Sequence, residues 1–186
     1  MIIYNNTKRG FLNDIPHIEG ILSSNVKAKM GEDTSEGEIL SWHNSLRFMA
    51  KVVDSQVIPD DTGIALEYNI PVTNNRIDFI ITGLDSEEKS NVVMIELKQW
   101  QHVQATEKDG LVVTHYEDGL KETTHPSYQV ACYASLLYDF KEAVQQRKVS
   151  LHPCVFMHNY VDDGSISDAR YQKYTQKAPV FCKGEE

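Results

Sequence analysis

Three strand-like runs, separated by short turns, lie in the middle of the chain and constrain its fold more than any other feature. They span residues 64–70, 76–84 and 91–100 and are rich in Val, Ile and other residues favoured in strands. Pro71 ends the first run, and the turn around Asp85 closes the second. Because short connections join antiparallel neighbours, we expect these runs to form a three-stranded antiparallel meander.

Helices are predicted on both sides of these strands. Apolar residues recur at helical spacing over 14–31, 39–53 and 126–144. A strand predicted over 151–158 returns from the last helix, and one possible strand or hairpin lies at 111–116 in a polar segment. This order of elements favours an α+β or α/β fold, and 186 residues favour a single domain over 1–186.

The charge balance restricts the partners that the chain can hold. The chain has 27 acidic and 18 basic residues, which is a net charge of −9. A protein that binds nucleic acid through charge alone is basic, so a function on nucleic acid would need a local basic surface or a divalent cation. The candidate contacts to a phosphate backbone are Lys8, Arg9, Lys27 and Lys29 near the N-terminus, together with Arg147 and Lys148.

Membrane and disulfide-rich classes are disfavoured on similar grounds. No apolar run approaches the roughly 20 residues that span a bilayer, and the polar N-terminus does not resemble a signal peptide. The three cysteines include no CxxC pair, which disfavours a disulfide framework and excludes a four-cysteine metal site within this chain. We therefore expect a reducing, cytoplasmic setting and no membrane partner.

Charged residues interrupt the second and third strand runs, where an unpaired buried charge would be costly. Asp78 lies inside the second run, and Glu96 and Lys98 lie near the end of the third. Because side chains alternate along a strand, Glu96 and Lys98 face the same way, and pairing of the runs would bring Asp78 beside Glu96. Two adjacent carboxylates favour Mg²⁺ or Mn²⁺, whereas a solvated cross-strand ion pair with Lys98 is the structural alternative.

These residues resemble the signature of the PD-(D/E)XK nuclease superfamily. The strand run around Asp78 is similar to the strand that carries the first acid of the family, although Ile77 stands where proline is usual. Glu96-Leu97-Lys98 is similar to the acid-x-lysine tripeptide. The resemblance implies a restriction-endonuclease-like core in which Asp78, Glu96 and the main-chain carbonyl of Leu97 hold Mg²⁺ or Mn²⁺. It also implies that Lys98 positions the attacking water and helps to deprotonate it.

The third predicted helix adds two residues to this resemblance. Gln129 and Tyr133 are four residues apart on one helical face, like the Gln-x-x-x-Tyr motif of RecB-like nucleases, which lies beside the catalytic centre. The motif implies that Gln129 orients the metal-bound water or the substrate and that Tyr133 supports it or contacts phosphate. Without the resemblance, Tyr133 would be assigned to the core and Gln129 to the surface.

Glu38 is the candidate for a third acidic group at the metal site. In the family, an acid on the helix before the meander reaches the metal directly or through water, and Glu38 holds the corresponding place. Two alternatives stay open. Ser35 and Glu38 also have the spacing of a helix-capping box, and Glu36 is a rival for either role.

A narrower resemblance covers nearly the whole chain. The segments that carry it are residues 2–5, 10–11, 41–46, 96–100 and 125–129. They are similar to the N-terminal nuclease region of prokaryotic Schlafen-like proteins, in which a superfamily 1 helicase or ATPase follows. Because the chain contains no GxxxxGK[ST] loop, the resemblance implies a fragment of a longer protein that carries its motor domain in cis.

The sequence thus predicts a metal-dependent nuclease that hydrolyses phosphodiester bonds of DNA or RNA. A second class stays open, in which a degenerate nuclease fold binds nucleic acid or docks a partner without cleavage. A protein-interaction module is a third class.

Overall fold

The computed structural model describes residues 1–71, 73–116, 119–140, 142–146 and 148–185. The helices are α1 (Lys8–Asp14), α2 (Ile18–Met30), α3 (Glu36–Val53), α4 (Pro126–Phe140), α5 (Glu142–Gln146) and α6 (Gln172–Thr175). The strands are β1 (Ile2–Thr7), β2 (Gly63–Asn69), β3 (Arg76–Leu84), β4 (Ser90–Leu97), β5 (Val103–Ala105), β6 (Leu111–Tyr116), β7 (Gly119–Thr124), β8 (Ser150–Met157) and β9 (Val180–Cys182). Short 3₁₀ helices at Ile15–His17 and Ala169–Tyr171 precede α2 and α6.

Six strands form one mixed sheet in the order β1-β2-β3-β4-β8-β9. The strands from β1 to β4 pair with one another antiparallel, whereas β8 is parallel to β4 and β9 is parallel to β8. Parallel neighbours need a crossover connection, and the chain between β4 and β8 contains α4. The predicted mixed α/β class is confirmed.

The central strands of this sheet are covered on both faces. Phe79 and Ile95, which pair across β3 and β4, pack with apolar side chains of α1, α2 and α3. The neighbouring pair, Ile80 and Met94, faces the other way and packs with apolar side chains of α4. Because both faces are buried, a charged side chain on β3 or β4 enters a protein interior or sits at a strand end.

Elements near the N-terminus differ from the sequence prediction. The helix predicted over 14–31 begins later than expected, because residues 15–17, which include Pro16, form a 3₁₀ helix and α2 runs from Ile18 to Met30. Helix α1, which precedes them, was not predicted. The start of α1 is set by Thr7, whose hydroxyl accepts a hydrogen bond from the Gly10 amide at 3.1 Å. Strand β1 was not predicted, because six residues without clear alternation carry little local signal.

A second, three-stranded sheet follows β4 in the order β5-β6-β7. The strand predicted over 111–116 coincides with β6. Its two partners were not predicted, because β5 has three residues and β7 is largely polar. Within the described residues, no helix combines the length and the apolar character that crossing a membrane requires.

Candidate active site

The ends of β3 and β4 place Asp78 and Glu96 side by side. Phe79 pairs with Ile95, and the same antiparallel register continued by one residue sets Asp78 opposite Glu96. The Leu97 amide donates a hydrogen bond to Asp78 Oδ2 at 2.8 Å, which joins the two strands at this point. Both carboxylates line one cavity of about 180 Å³. It is closed on the other side by α3.

A hydrogen-bond network connects Glu96 to α4. Lys98 Nζ and Gln129 Nε2 both donate to Glu96 Oε1, each at 2.7 Å. Gln129 Nε2 also lies 2.9 Å from the Tyr133 hydroxyl, and Lys98 Nζ lies 3.3 Å from Gln129 Oε1. Five of the residues predicted for the site, Asp78, Glu96, Lys98, Gln129 and Tyr133, are therefore adjacent. Leu97 lines the same cavity.

The surroundings of Asp78 and Glu96 disfavour the ionised form of both carboxyl groups. Burial, and then the charge of Asp78, raise the pKa of Glu96 to about 8. Burial also raises the pKa of Asp78, although Lys98 opposes the change. Burial alone would lower the pKa of Lys98, but the charges of Glu96 and Asp78 reverse this and its net pKa is raised. Lys98 is therefore an ammonium group at neutral pH.

Glu67 is a cavity residue that the sequence analysis missed. It lies on β2, is only 6% exposed and lines the cavity with Asp78 and Glu96. Trp42 Nε1 donates to Glu67 Oε1 at 2.8 Å, and Arg76 Nε lies 3.2 Å from Oε2. Burial, and then the charge of Asp78, raise the pKa of Glu67 to about 7. In the sequence, Glu67 is a charged residue within the strand run over 64–70, which could have indicated a functional role. None of the motifs that carry the family resemblance includes Glu67.

The backbone at Glu67 has an unusual conformation. Its φ is +53°, in the left-handed region that residues other than glycine seldom adopt. Leu66 packs in the core beneath α1, α2 and α3, whereas Tyr68 packs against the core beneath α4. In a regular strand, residues two apart lie on the same face. Leu66 and Tyr68 lie on opposite faces, so the alternation of side chains along β2 is interrupted at Glu67. Local periodicity could not have predicted which way this side chain points.

The structure places Glu38 apart from the cavity. Glu38 Oε1 lies 2.5 Å from an Arg76 guanidinium nitrogen, and Glu38 is not among the residues that line the cavity. Arg76 thus bridges Glu38 and Glu67. The Glu38 amide donates to Ser35 Oγ at 3.2 Å, as the capping alternative requires, but the carboxylate does not return to Ser35 within the described contacts.

The acidic groups of the cavity have the chemistry that a divalent cation prefers, although they are not arranged as a complete ligand set. Within the described residues, no group of three or more His, Cys, Asp or Glu side chains is already arranged to hold a metal ion. Glu96 Oε2, however, is buried, and no hydrogen-bond donor of the described residues reaches it. A buried carboxylate oxygen without a partner is costly, and hard oxygen donors of this kind are the preferred ligands of Mg²⁺ and Mn²⁺.

Comparisons with known proteins show no family for this chain. No family model, curated protein or solved structure matches it.

The basic N-terminal stretch is largely occupied by contacts within the chain. Lys8 and Lys29 each donate to two main-chain carbonyls. The other two cations of this stretch form exposed ion pairs with aspartates. Lys148 is exposed, and Arg147 lies outside the described residues. The N-terminal stretch therefore offers little uncompensated positive charge to a phosphate backbone.

A cavity of about 430 Å³ is lined by aromatic residues that follow Lys98 in the chain. Its walls include Trp100, His102, His115 and Tyr116, of which Tyr116 is 42% exposed. Lys98 Nζ lies 5.3 Å from the centroid of a Trp100 ring, so Lys98, which lines the acidic cavity, also contacts a wall of this one. Aromatic faces at this position are suited to stacking with planar groups such as nucleic-acid bases.

The raised pKa of Glu67 leads to a pH-dependent stability difference. Because its folded pKa exceeds the unfolded value, the folded protein binds more protons between about pH 4.5 and pH 7. The stabilisation that Glu67 contributes to the folded protein is fully present below its pKa in the unfolded chain. It is lost as pH rises through its pKa in the folded protein. In EDTA, we expect Glu67→Gln to become more stable than wild type as pH rises through this window, by on the order of 1–3 kcal/mol.

Chemical denaturation at several pH values measures this difference. The comparison with wild type cancels the opposite contributions of His125 and His158, whose pKa burial lowers. A difference between the two proteins that stays constant from pH 4.5 to 7 would contradict the expectation.

Proposed function

We propose that this chain is a metal-dependent nuclease that hydrolyses phosphodiester bonds of DNA or RNA. The observation that carries the proposal is the buried, unpartnered Glu96 Oε2, which lies beside Asp78 at a cavity that also contains Lys98. The resemblance to PD-(D/E)XK nucleases supports the same chemistry for Asp78, Glu96 and Lys98. The narrower resemblance extends the proposal to a helicase or ATPase domain in the same polypeptide.

Asp78 and Glu96, with the main-chain carbonyl of Leu97, would hold Mg²⁺ or Mn²⁺. A divalent cation at this point offsets negative charge on a phosphodiester and lowers the pKa of a water molecule. The acids are suited to it because their own charges repel each other and are separated from solvent. Cation binding would relieve the penalty that burial imposes on both carboxylates.

Lys98 contributes positive charge to the reaction. Its raised pKa keeps it protonated, so it is a poor proton acceptor and is better suited to orienting water and stabilising charge on the phosphate. Gln129 donates to Glu96 Oε1, the same oxygen that Lys98 contacts, and so keeps both side chains in one arrangement. The Tyr133 hydroxyl adjoins Gln129 and supports its orientation.

A cleavage assay tests the proposal directly. Single- and double-stranded DNA and RNA are incubated with the protein in Mg²⁺, in Mn²⁺ and in EDTA. Calorimetry with Mn²⁺ on the same preparation measures binding independently of cleavage. We expect cleavage of at least one substrate that depends on the cation, together with a measurable binding enthalpy. Absence of both would reject the nuclease proposal.

A specific observation supports a second candidate, a module that binds nucleic acid without cutting it. Lys98 Nζ already pairs with Glu96 Oε1 at 2.7 Å, so part of the acidic charge is neutralised within the chain. In this case nucleic acid would bind in EDTA as well as in Mg²⁺, and no cleavage would occur with any cation. The same assay, combined with a binding measurement, separates the two candidates.

Both candidates predict that Tyr116 contributes to nucleic-acid binding. Stacking of a base on an exposed aromatic ring contributes about 1–3 kcal/mol, and Tyr116→Ala should weaken binding of a single-stranded oligonucleotide by that amount. Fluorescence anisotropy in EDTA measures the affinity without cleavage. Tyr138→Ala, which removes an exposed tyrosine that lines a different cavity, is the matched control. Equal losses in the two variants would show that the aromatic-lined cavity has no special role.

A further inference from the structure

Three carboxylates, rather than two, share the acidic cavity. Glu67, Asp78 and Glu96 all line it, and the charge of Asp78 raises the pKa of both glutamates. Lys98 is the cation that lines this cavity among the described residues. Arg76 forms ion pairs with both Glu38 and Glu67, so its positive charge is shared between these two acids. If all three acids were ionised, their charge would exceed that of the lysine at the cavity, so ionisation of the set favours a bound cation.

Two observations favour a role for Glu67 as a metal ligand over a purely structural ion pair with Arg76. Glu96 Oε2 is buried at the same cavity without a hydrogen-bond partner, and a carboxylate oxygen in this state is suited to binding a cation. Glu67 Oε2 is also buried without a hydrogen bond, although Arg76 Nε forms an ion pair with it at 3.2 Å. Glu38 Oε1 is likewise buried without a hydrogen bond and lies beside Arg76, but Glu38 is not among the residues that line the cavity.

We propose that Glu67 is the third carboxylate ligand of the divalent cation held by Asp78 and Glu96, the role that the resemblance assigns to Glu38. This inference rests on the proposed metal site. The three acids are not yet arranged as a ligand set in the described residues, so Glu67 must shift when the cation binds. Because Trp42 Nε1 donates to Glu67 Oε1 at 2.8 Å, we expect a shift of Glu67 to alter that hydrogen bond.

Nuclear magnetic resonance can observe this hydrogen bond directly. The chain has two tryptophans, so two indole N–H signals are expected in a ¹H–¹⁵N spectrum, and a Trp100→Phe variant assigns that of Trp42. Mg²⁺ is the probe because it is diamagnetic. We expect the Trp42 indole signal to move during the Mg²⁺ titration in wild type and to stay in place in Glu67→Gln.

Calorimetry with Mn²⁺ then compares Glu67→Gln with Glu38→Gln. Both changes remove one carboxylate that contacts Arg76, but only the first removes one from the cavity. Loss of a ligand should weaken Mn²⁺ binding at least about ten-fold in Glu67→Gln, because even residues that only support ligands contribute 10- to 100-fold. Glu38→Gln should bind like wild type. Glu67→Asp, which keeps the charge, is the second variant if Glu67→Gln does not fold.

The outcomes distinguish this inference from the proposed function. If wild type binds Mn²⁺ and Glu67→Gln binds it equally well, the role of Glu67 is wrong and the two-carboxylate site stands. If Glu38→Gln alone weakens binding, the assignment from the resemblance is correct and ours is overturned. If wild type binds neither Mn²⁺ nor Mg²⁺, the metal site and this inference are both rejected.

Discussion

Replacing Lys98 by methionine is expected to lower cleavage by about 10²- to 10⁴-fold while the divalent cation remains bound. Removal of a group that orients water or stabilises transition-state charge has an effect of this size. Asp78 and Glu96 keep their carboxylates in this variant, and loss of a nearby positive charge favours cation binding. Single-turnover cleavage and Mn²⁺ calorimetry on one preparation measure the two properties separately.

The burial of Lys98 affects how this experiment is designed. The side chain of Lys98 is 18% exposed and that of Glu96 is 4% exposed, so the variant breaks a largely buried ion pair. Such a change can destabilise a protein by about 3–5 kcal/mol, unlike the small effect expected of an exposed pair. Methionine is chosen because its unbranched chain preserves packing near Trp100. Thermal melting must show that the variant is folded at the assay temperature.

Lys89→Met is the matched control for Lys98→Met. Lys89 precedes β4, is exposed and pairs with Glu87, so its loss should change neither cleavage nor cation binding. If wild type is active and Lys98→Met cleaves at the same rate, Lys98 has no catalytic role. The similarity of Glu96-Leu97-Lys98 to the acid-x-lysine tripeptide would then be coincidental.

Asp78→Asn is expected to abolish both cation binding and cleavage without unfolding the protein. Asparagine keeps a side-chain oxygen that can accept the Leu97 amide, so the link between β3 and β4 is preserved. It removes one of the charges that Mg²⁺ or Mn²⁺ would neutralise, and it also removes repulsion from Glu96. The variant should therefore melt in EDTA at the same temperature as wild type or higher.

Thermal melting with and without Mg²⁺ measures this effect. A ligand at 100 times its dissociation constant stabilises a folded protein by about 2.7 kcal/mol, so wild type should gain stability in saturating Mg²⁺. Asp78→Asn should gain none. Asp139→Asn, an exposed aspartate at the end of α4, should gain as much as wild type. A gain in Asp78→Asn equal to that of wild type would show that Asp78 does not hold the cation.

Local sequence pattern predicted the parts of the structure that depend on neighbouring residues. Strand β3 coincides with the run predicted over 76–84, and β4 ends within the run predicted over 91–100. Side chains alternate along a strand with a period of two residues. The two-residue separation of Glu96 and Lys98 is therefore enough to predict that they lie on the same face. The four-residue spacing of Gln129 and Tyr133 is local in the same sense.

Only the tertiary structure determined which charged side chains are buried and which opposite charges or carbonyl groups they contact. The burial of Lys98 follows from the packing of α4 against β4 and β8, which no local window contains. Glu38 pairs with Arg76, which is distant in sequence and comes close because β3 lies near the start of α3. The N-terminal cations are likewise engaged by main-chain carbonyls that the fold brings to them.

Glu67 illustrates the limit most clearly. Its sequence neighbours indicate a regular strand, in which its direction would follow from alternation. The structure instead turns the strand over at a φ of +53°, and Glu67 lies in a cavity with acids from β3 and β4. The sequence by itself determined which charged residues interrupt the strands. Which of them share one interior, and so repel one another and favour a cation, depends on long-range packing that only the folded chain creates.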